Sequence, residues 1–402
     1  VKKFTYEARD KASSQVVKSM VQADSESMAA KVLIEQGMMP LKIKEIDENA
    51  SIISKLSGRI TAKDKIIFMR QLSTLIGAGL PLAQSMHTVL EQTQNKQMQR
   101  VVEEIIADIE GGRTLSDSFG KHPQVFDKIV LALVAAGEAS GTLDDALKRV
   151  ATQKEKDAAM LGKIRGAMIY PAIVLFVILG VMTFMLIAVV PQVAKLYDDM
   201  HKKLPFLTAV MIAMANFIIH YWYITIIVIG IVIYFVMQYF KTENGTRFKD
   251  TMKLNVPLFK GMFRKLYMAR FTRTGQTLLS TGVAMLDMLR ISSESTNNVI
   301  ISKSIDRAAE KVKGGKALSS SLQPEDYILP MVPQMIKIGE QSGKIDEMMG
   351  KTAQVFEDEL DEEIKAISTA IEPLLMVVMA VFAGGMVGAI LFPIYSLVGG
   401  IR

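Results

Sequence analysis

The sequence predicts a mainly α-helical, polytopic membrane protein. It has two homologous cytoplasmic helical-bundle domains, three transmembrane helices and a small N-terminal α/β domain. Three observations predict this. The first is an internal duplication. Phe68-Met69-Arg70-Gln71-Leu72-Ser73-Thr74-Leu75 is echoed 203 residues later by Phe271-Thr272-Arg273-Thr274-Gly275-Gln276-Thr277-Leu278. Gly137-Glu138-Ala139-Ser140-Gly141-Thr142-Leu143-Asp144 returns at an offset of 202 as Gly339-Glu340-Gln341-Ser342-Gly343-Lys344-Ile345-Asp346. Gly111-Gly112 returns as Gly314-Gly315, and Pro171 and Pro191 return as Pro373 and Pro393. A period this long marks a duplicated domain, not a short-repeat solenoid. The second observation is three long runs without charge, at 172–190, 221–240 and 374–392. The third is helical spacing of apolar residues through both copies of the repeat, with helix stops between them.

Taken in order, residues 1–50 read as the α/β piece. Phe4, Tyr6 and Ala8 alternate, 16–21 is a second strand candidate, and 25–36 is helical with Gly37 as its stop. Leu41, Ile43 and Ile46 suggest a last strand. Residues 51–60 are a linker. The first helical domain spans 61–167. Thr61 with Asp64 makes a capping-box pattern before a helix over 66–76. Gly77-Ala78-Gly79 ends that helix, and Pro81 suits the first turn of the next. A third helix is expected from 96 to 110, a short one near 116–119, and a longer one over 127–139. Thr142 with Asp145 is read as the cap of a last helix that runs on into the membrane. Residues 262–372 repeat this order within a second helical domain over 241–370.

The spans are placed in segments 168–190, 217–240 and 371–396, with an external loop at 191–216 and an external tail at 397–402. Nineteen uncharged residues at about 1.5 Å each cross roughly 28 Å, close to a bilayer core. Tyr221, Trp222 and Tyr223 at one end of the middle run, with Tyr239 and Phe240 at the other, form two aromatic belts. The apolar stretch 208–219 either extends this span or lies at the surface. Lys148, Arg149, Lys154, Lys156, Lys163 and Arg165 precede the first span. Lys241, Arg247, Lys249 and further basic residues follow the second. Positive-inside bias therefore puts both helical domains in the cytoplasm. The start of the chain has no apolar signal-like core, so the N-terminus is expected there too.

Composition narrows the chemistry. Half the residues are hydrophobic, there is no cysteine, and the net charge is +6. A disulfide framework and a thiolate metal site are excluded. The basic balance reads as membrane-proximal bias. No DNA-binding helix or aromatic–basic interleave points to nucleic acid. Gly314-Gly315-Lys316-Ala317 lacks the upstream glycine and the following Ser or Thr of a phosphate-binding loop. The four histidines are scattered and no Gly-x-Ser-x-Gly elbow occurs, so the chain is read as a non-enzyme without cofactors. The 27 methionines form no dense outer cluster and read as adaptable packing.

The Gly-Glu-x-Ser-Gly turn is the sharpest motif. Gly137 allows close packing, and Gly141 and Gly343 supply left-handed helix ends. The carboxylates of Glu138, Asp144, Glu340 and Asp346 flank a helix–helix corner. They serve as a cap or ion pair inside each bundle, or as a contact for a partner or a divalent cation, and a metal role stays open. Arg70 and Arg273 are the expected internal mates. In the third span Ala380, Gly384 and Gly388 recur every four residues, a face that lets membrane helices approach. Glu372 sits at the cytoplasmic edge of that span.

The stretch Phe68-Met69-Arg70-Gln71-Leu72 with Gly77-Ala78-Gly79-Leu80-Pro81-Leu82 resembles the first-helix signature of the GspF/PilC family. These are inner-membrane platform proteins of type II secretion and type IV pilus machines. The two Gly-Glu-x-Ser-Gly turns, Ile371-Glu372-Pro373-Leu374-Leu375 and Leu391-Phe392-Pro393-Ile394-Tyr395-Ser396-Leu397 resemble it too, as does Phe4-x-Tyr6-x-Ala8-x-Asp10. Gly282-Val283-Ala284 departs from the Gly-Val-Pro common in the family. The resemblance implies a homo-oligomeric, multi-pass protein of the bacterial inner membrane. A hexameric cytoplasmic assembly ATPase would dock on its helical domains and drive pilin-like subunits from the bilayer into a filament, beside other inner-membrane assembly proteins and membrane lipids. A transporter or channel built from the duplication is the alternative, but it calls for a polar midplane site that the spans lack.

Overall fold

The structure, a computed structural model, describes residues 2–10, 16–23, 28, 30, 38–45, 59–189, 191–192, 195 and 206–399. The chain divides into two compact units, one of residues 1–61 with 93–101 and one of residues 62–92 with 102–402. In the first unit three strands form an antiparallel sheet of order β2-β1-β3, with β1 at Lys2–Asp10, β2 at Val16–Ala23 and β3 at Met38–Glu45. Phe4 pairs with Val21 on one side and with Glu45 on the other, and the β1–β3 register shifts at Glu7/Ala8. The helix expected over 25–36 lies outside the described residues apart from Met28 and Ala30.

The helical remainder follows the duplication. The first copy holds α1 (Ala62–Gly77), α2 (Leu82–Gln92), α3 (Lys96–Glu110), α4 (Leu115–Gly120), α5 (Lys128–Ser140) and α6 (Leu143–Ala188). Next come α7 (Phe206–Tyr239) and α8 (Glu243–Asn255). The second copy holds α9 (Lys260–Leu279), α10 (Met285–Ser295), α11 (Val299–Lys313), α12 (Leu318–Leu322), α13 (Met331–Ser342) and α14 (Ile345–Gly399).

Local chemistry sets the boundaries. Gly79 and Gly112 follow α1 and α3 at φ +87° and +84°, a region that glycine enters without strain. The Pro81 carbonyl accepts the Ser85 N–H at 2.9 Å to start α2, and Ala284 does the same for Met288 at 2.8 Å at the start of α10. The Asp127 carboxylate accepts the Val130 N–H at 3.2 Å as the cap of α5.

The cores of the two copies also correspond. In the first, Phe68 of α1 lies 6.1 Å from Phe119 and 6.0 Å from Phe126, and the last two rings stack at 3.9 Å. Such ring contacts add to the burial of apolar area. In the second copy Phe271, Leu322 and Ile328 are buried at the positions that the repeat offset assigns to this trio.

Among the described residues two helices are long and apolar enough to cross a membrane, α6 and the Ile345–Gly385 part of α14, or three if the bent pair Ile226–Tyr239 and Glu243–Asn255 forms one span. At 1.5 Å per residue, the 46 residues of α6 extend about 69 Å, so each is one rod from bundle to apolar run. Their apolar runs face outward: Phe176 is 77% and Val381 68% exposed. The sequence put Pro171 and Pro373 at the ends of spans, whereas the helices run through both. A proline removes one backbone hydrogen bond, and long membrane helices tolerate that loss.

The middle run behaves differently. Its helix starts at Phe206, inside the segment expected as an external loop, and is broken at Tyr221, whose backbone is non-helical (φ −116°, ψ 17°). Stretch 208–219, left open by the sequence, is therefore helix. Ala215 within it is fully buried in a small cluster with Leu186 of α6, and Ile212 packs beside them. At the far end Ile226–Tyr239 turns by 93° into α8.

Candidate functional site

Each long helix begins at a Gly-Glu-x-Ser-Gly turn, and both turns have the same geometry. Gly141 and Gly343 are left-handed at φ +74° and +69°. The amides two residues past Ser140 and Ser342 fold back alike: Thr142 N–H donates to the Gly137 carbonyl and Lys344 N–H to the Gly339 carbonyl, each at 2.9 Å. The first glycine of each motif is a contact point. A Cβ on Gly137 would stand 2.5 Å from the Ala146 Cβ, and one on Gly339 would stand 2.7 Å from the Ile345 Cα. One expectation is corrected. Thr142 makes no side-chain cap, because its backbone (φ −111°, ψ 45°) is off the extended geometry of a capping residue. Its hydroxyl instead lies 2.7 Å from that of Ser140.

Glu138 and Glu340 act at a distance along the chain. The carboxylate of Glu138 accepts the Leu115 N–H at 2.5 Å, the Ser116 N–H at 3.0 Å and the Ser116 hydroxyl at 2.5 Å. Thr114 Oγ1 takes the Asp117 N–H at 3.1 Å, so the first three amides of α4 are all satisfied. In the second copy Glu340 accepts the Ser319 N–H at 3.1 Å and the Ser319 hydroxyl at 2.5 Å, at the start of α12. Each glutamate ties the helix before the turn to a short helix packed against it. Sequence reading missed Ser116 and Ser319, although Leu115-Ser116 recurs as Leu318-Ser319 at the repeat offset.

Arg70 and Arg273 do not pair with these glutamates, contrary to expectation. Arg70 donates from Nε at 3.0 Å and from Nη2 at 2.5 Å to both oxygens of Glu155 on α6. That hydrogen-bonded carboxylate raises the Arg70 pKa. Arg273 donates from Nε to Glu357 on α14 at 2.7 Å. The physical reason is reach: Glu138 and Glu340 are committed to helix starts, while Glu155 and Glu357 stand on the long helix that lies along α1 or α9. Both were missed, and both recur at an offset of 202. Asp144 and Asp346 occupy the first turns of α6 and α14, where a negative charge suits the helix dipole. Neither makes an ion pair among the described residues.

The two copies touch through their long helices. Lys156 reaches Glu357 at 3.2 Å and Lys163 reaches Asp361 at 2.5 Å. Arg149 donates to the Ser280 hydroxyl at 3.0 Å, and Lys128 pairs with Glu294 at 2.7 Å. Asp157 lies in the same region; burial raises its pKa, against the opposing charges of Arg270 and Lys154. In α14, a Cβ on Gly384 or Gly388 would meet open space, and Ala380 is exposed, so no described part of the chain covers that face. Among the described residues no cluster of three His, Asp or Glu side chains is placed to hold a metal ion. The arrangement offers two equivalent, hydrogen-bonded joints between a bundle and a rod.

Comparison with known proteins agrees with the duplication. The family model "Type II secretion system (T2SS), protein F" matches twice, over residues 68–191 and 271–393, and the model for the N-terminal domain of that protein matches residues 2–44. The chain is 34% identical over 401 residues to the type IV pilus assembly protein PilC of Thermus thermophilus, covering 98% of each chain. It is 34% identical to the PilC of Pseudomonas aeruginosa, over 91% of this chain and 97% of that one. It is 33% identical to the type II secretion system protein F of Aeromonas hydrophila, over 94% and 98%.

Proposed function

Since the chain belongs to the type II secretion system protein F family, we propose that it is the membrane platform of a type IV pilus or type II secretion machine. It couples a cytoplasmic hexameric assembly ATPase to the extraction of pilin-like subunits from the bilayer and to their polymerisation. The observation that carries this reading is the continuity of α6 and α14. Each is one helix from a bundle into an apolar run, and each is fastened to its bundle by an Arg–Glu pair, Arg70–Glu155 or Arg273–Glu357. Movement imposed on a bundle is thereby carried into the membrane without an enzymatic step.

In this reading the protein is a homo-oligomer of the bacterial inner membrane that also meets other assembly proteins. The α/β domain (1–50), linker (51–60) and helical domains (61–167 and 241–370) lie in the cytoplasm. Three spans cross the bilayer, the middle one formed within α7. Arg70, Glu138, Gly141 and Asp144, with Arg273, Glu340, Gly343 and Asp346, form the coupling joints. The Ala380, Gly384 and Gly388 face is open to another membrane helix.

Deletion of the gene in its host tests the reading. Surface filaments are imaged by electron microscopy and exoprotein release is assayed in the same strain. Loss of filaments alone assigns a pilus platform, and loss of secretion alone assigns the secretion branch. Retention of both in a strain without a second copy refutes the proposal.

A further inference from the structure

A cleft of about 320 Å³ lies between the two copies of the repeat, walled by α6 and α9. Lys148, Arg149 and Lys156 line it from α6, and Arg273 lines it from α9. Two carboxylates oppose these four cations. Asp145 takes Arg149 at 2.7 Å, while Glu357 is shared between Arg273 at 2.7 Å and Lys156 at 3.2 Å. Two positive charges are left over, and exposed Lys148 makes no ion pair among the described residues.

The excess arises from a difference between the repeats. In the first, Arg70 spends Nε and Nη2 on the two oxygens of Glu155. In the second, Lys156 crosses over to the other oxygen of Glu357, and Arg273 Nη2 is left buried without a partner. A guanidinium edge removed from water is poorly screened, so it holds positive potential in the wall of the cleft. Gln276, whose oxygen accepts Arg273 Nη1 at 3.4 Å, keeps its amide N–H₂ as a neutral donor at the same wall.

We propose that this cleft binds a small phosphate-bearing anion. A phosphate monoester carries about −1.5 to −2 charges near neutral pH and offers three strong acceptor oxygens. That matches an excess of two positive charges on Lys148, Arg149, Lys156 and Arg273, side chains that can only donate, beside an Asp145 carboxylate already taken by Arg149. The volume is at the low end of the roughly 300–1,000 Å³ of ligand pockets, which suits inorganic phosphate or a mononucleotide. Because the walls belong to different copies of the repeat, an occupied cleft ties α6 to α9.

The test is calorimetric titration of the full-length protein in detergent with inorganic phosphate and, separately, adenosine monophosphate, at fixed ionic strength in chloride. The wild type is expected to bind saturably. Lys148→Gln, which removes no hydrogen bond or ion pair among the described residues, is expected to weaken binding about tenfold, a change of about 1.4 kcal/mol. Lys148→Gln with Lys156→Gln is expected to abolish it, and Lys337→Gln, outside the cleft, to leave it unchanged. Equal affinities for the two ligands would make the phosphoryl group the whole determinant, and tighter binding of the nucleotide would add the base; both support the site. No saturable binding of either ligand, or binding that both Lys148 variants leave intact (an adventitious ion only), overturns it. Filament and secretion phenotypes do not enter this test, so it stands or fails apart from the platform reading.

Discussion

Replacing Glu138 by Ala removes the carboxylate that holds the first two amides of α4 and the Ser116 hydroxyl. A hydrogen bond to a charged group contributes about 1.5–3 kcal/mol, and loss of a helix cap costs about 0.5–2 kcal/mol. Glu138 is half-buried, so water replaces part of what is lost, while the fully buried Leu115 and Phe119 anchor the rest of α4. The expected cost is about 2 kcal/mol, placed on the local opening of α4 and not on the bundle as a whole. At about 1.36 kcal/mol per factor of ten, amides of α4 should exchange with deuterium about 30 times faster. Hydrogen exchange read by mass spectrometry on the purified protein gives this directly, with peptides from α1 and α5 as internal references. Glu340→Ala should speed exchange in α12 by a factor of the same order, since Glu340 binds Ser319 in the same way. Unchanged protection in α4, in a variant that keeps its helical content, would refute the capping role.

Three further outcomes follow from the geometry. Gly137→Ala and Gly339→Ala force a Cβ into Ala146 and into the Ile345 backbone, and each should lower the denaturation midpoint by an amount equivalent to about 1–3 kcal/mol; an unchanged midpoint would contradict the packing. Ala284→Pro should stabilise by about 0.4–1 kcal/mol in the same measurement, because Ala284 already has φ −60° and ψ 145°, where the first copy carries Pro81; a fall in the midpoint would contradict that equivalence. Burial pushes the Glu325 carboxyl up, but the Arg307 and Lys311 hydrogen bonds and charges outweigh it and hold the carboxyl below its ordinary value. A depressed folded pKa gives stability that is present above the ordinary value of about 4.3 and is lost as pH falls through the lower folded value. Glu325→Gln should therefore be less stable at neutral pH and show a flatter loss of stability below about pH 4.3; parallel pH profiles for the two proteins would contradict it.

The sequence made some elements legible and hid others for physical reasons. Helix α3 falls on the expected residues, 96–110, because its apolar spacing is strong and Gly111-Gly112 ends it. The left-handed Gly141 and Gly343 were readable because so few residues other than glycine fit there. The partners of Arg70 and Arg273 were not, because each arginine meets a glutamate about 85 residues away, which no helical spacing reports. The duplication held the missing signal, since Glu155 and Glu357 share its offset. The break at Tyr221 was hidden because 206–240 is almost uniformly apolar and carries no glycine or proline there, whereas Pro205, just before the start of α7 at Phe206, was a start signal left unused.

The central claim is that the joint between a bundle and its rod transmits movement, and a charge swap at Arg70 and Glu155 tests it most directly. Arg70→Glu, Glu155→Arg and the double variant are expressed in the deletion strain, and filaments or secreted protein are counted at matched membrane levels. These two side chains are 38% and 40% exposed, so their pair adds little to stability and the single variants should still insert. The account predicts that each single reversal impairs assembly and that the double variant restores it. Normal assembly in both single variants would contradict it.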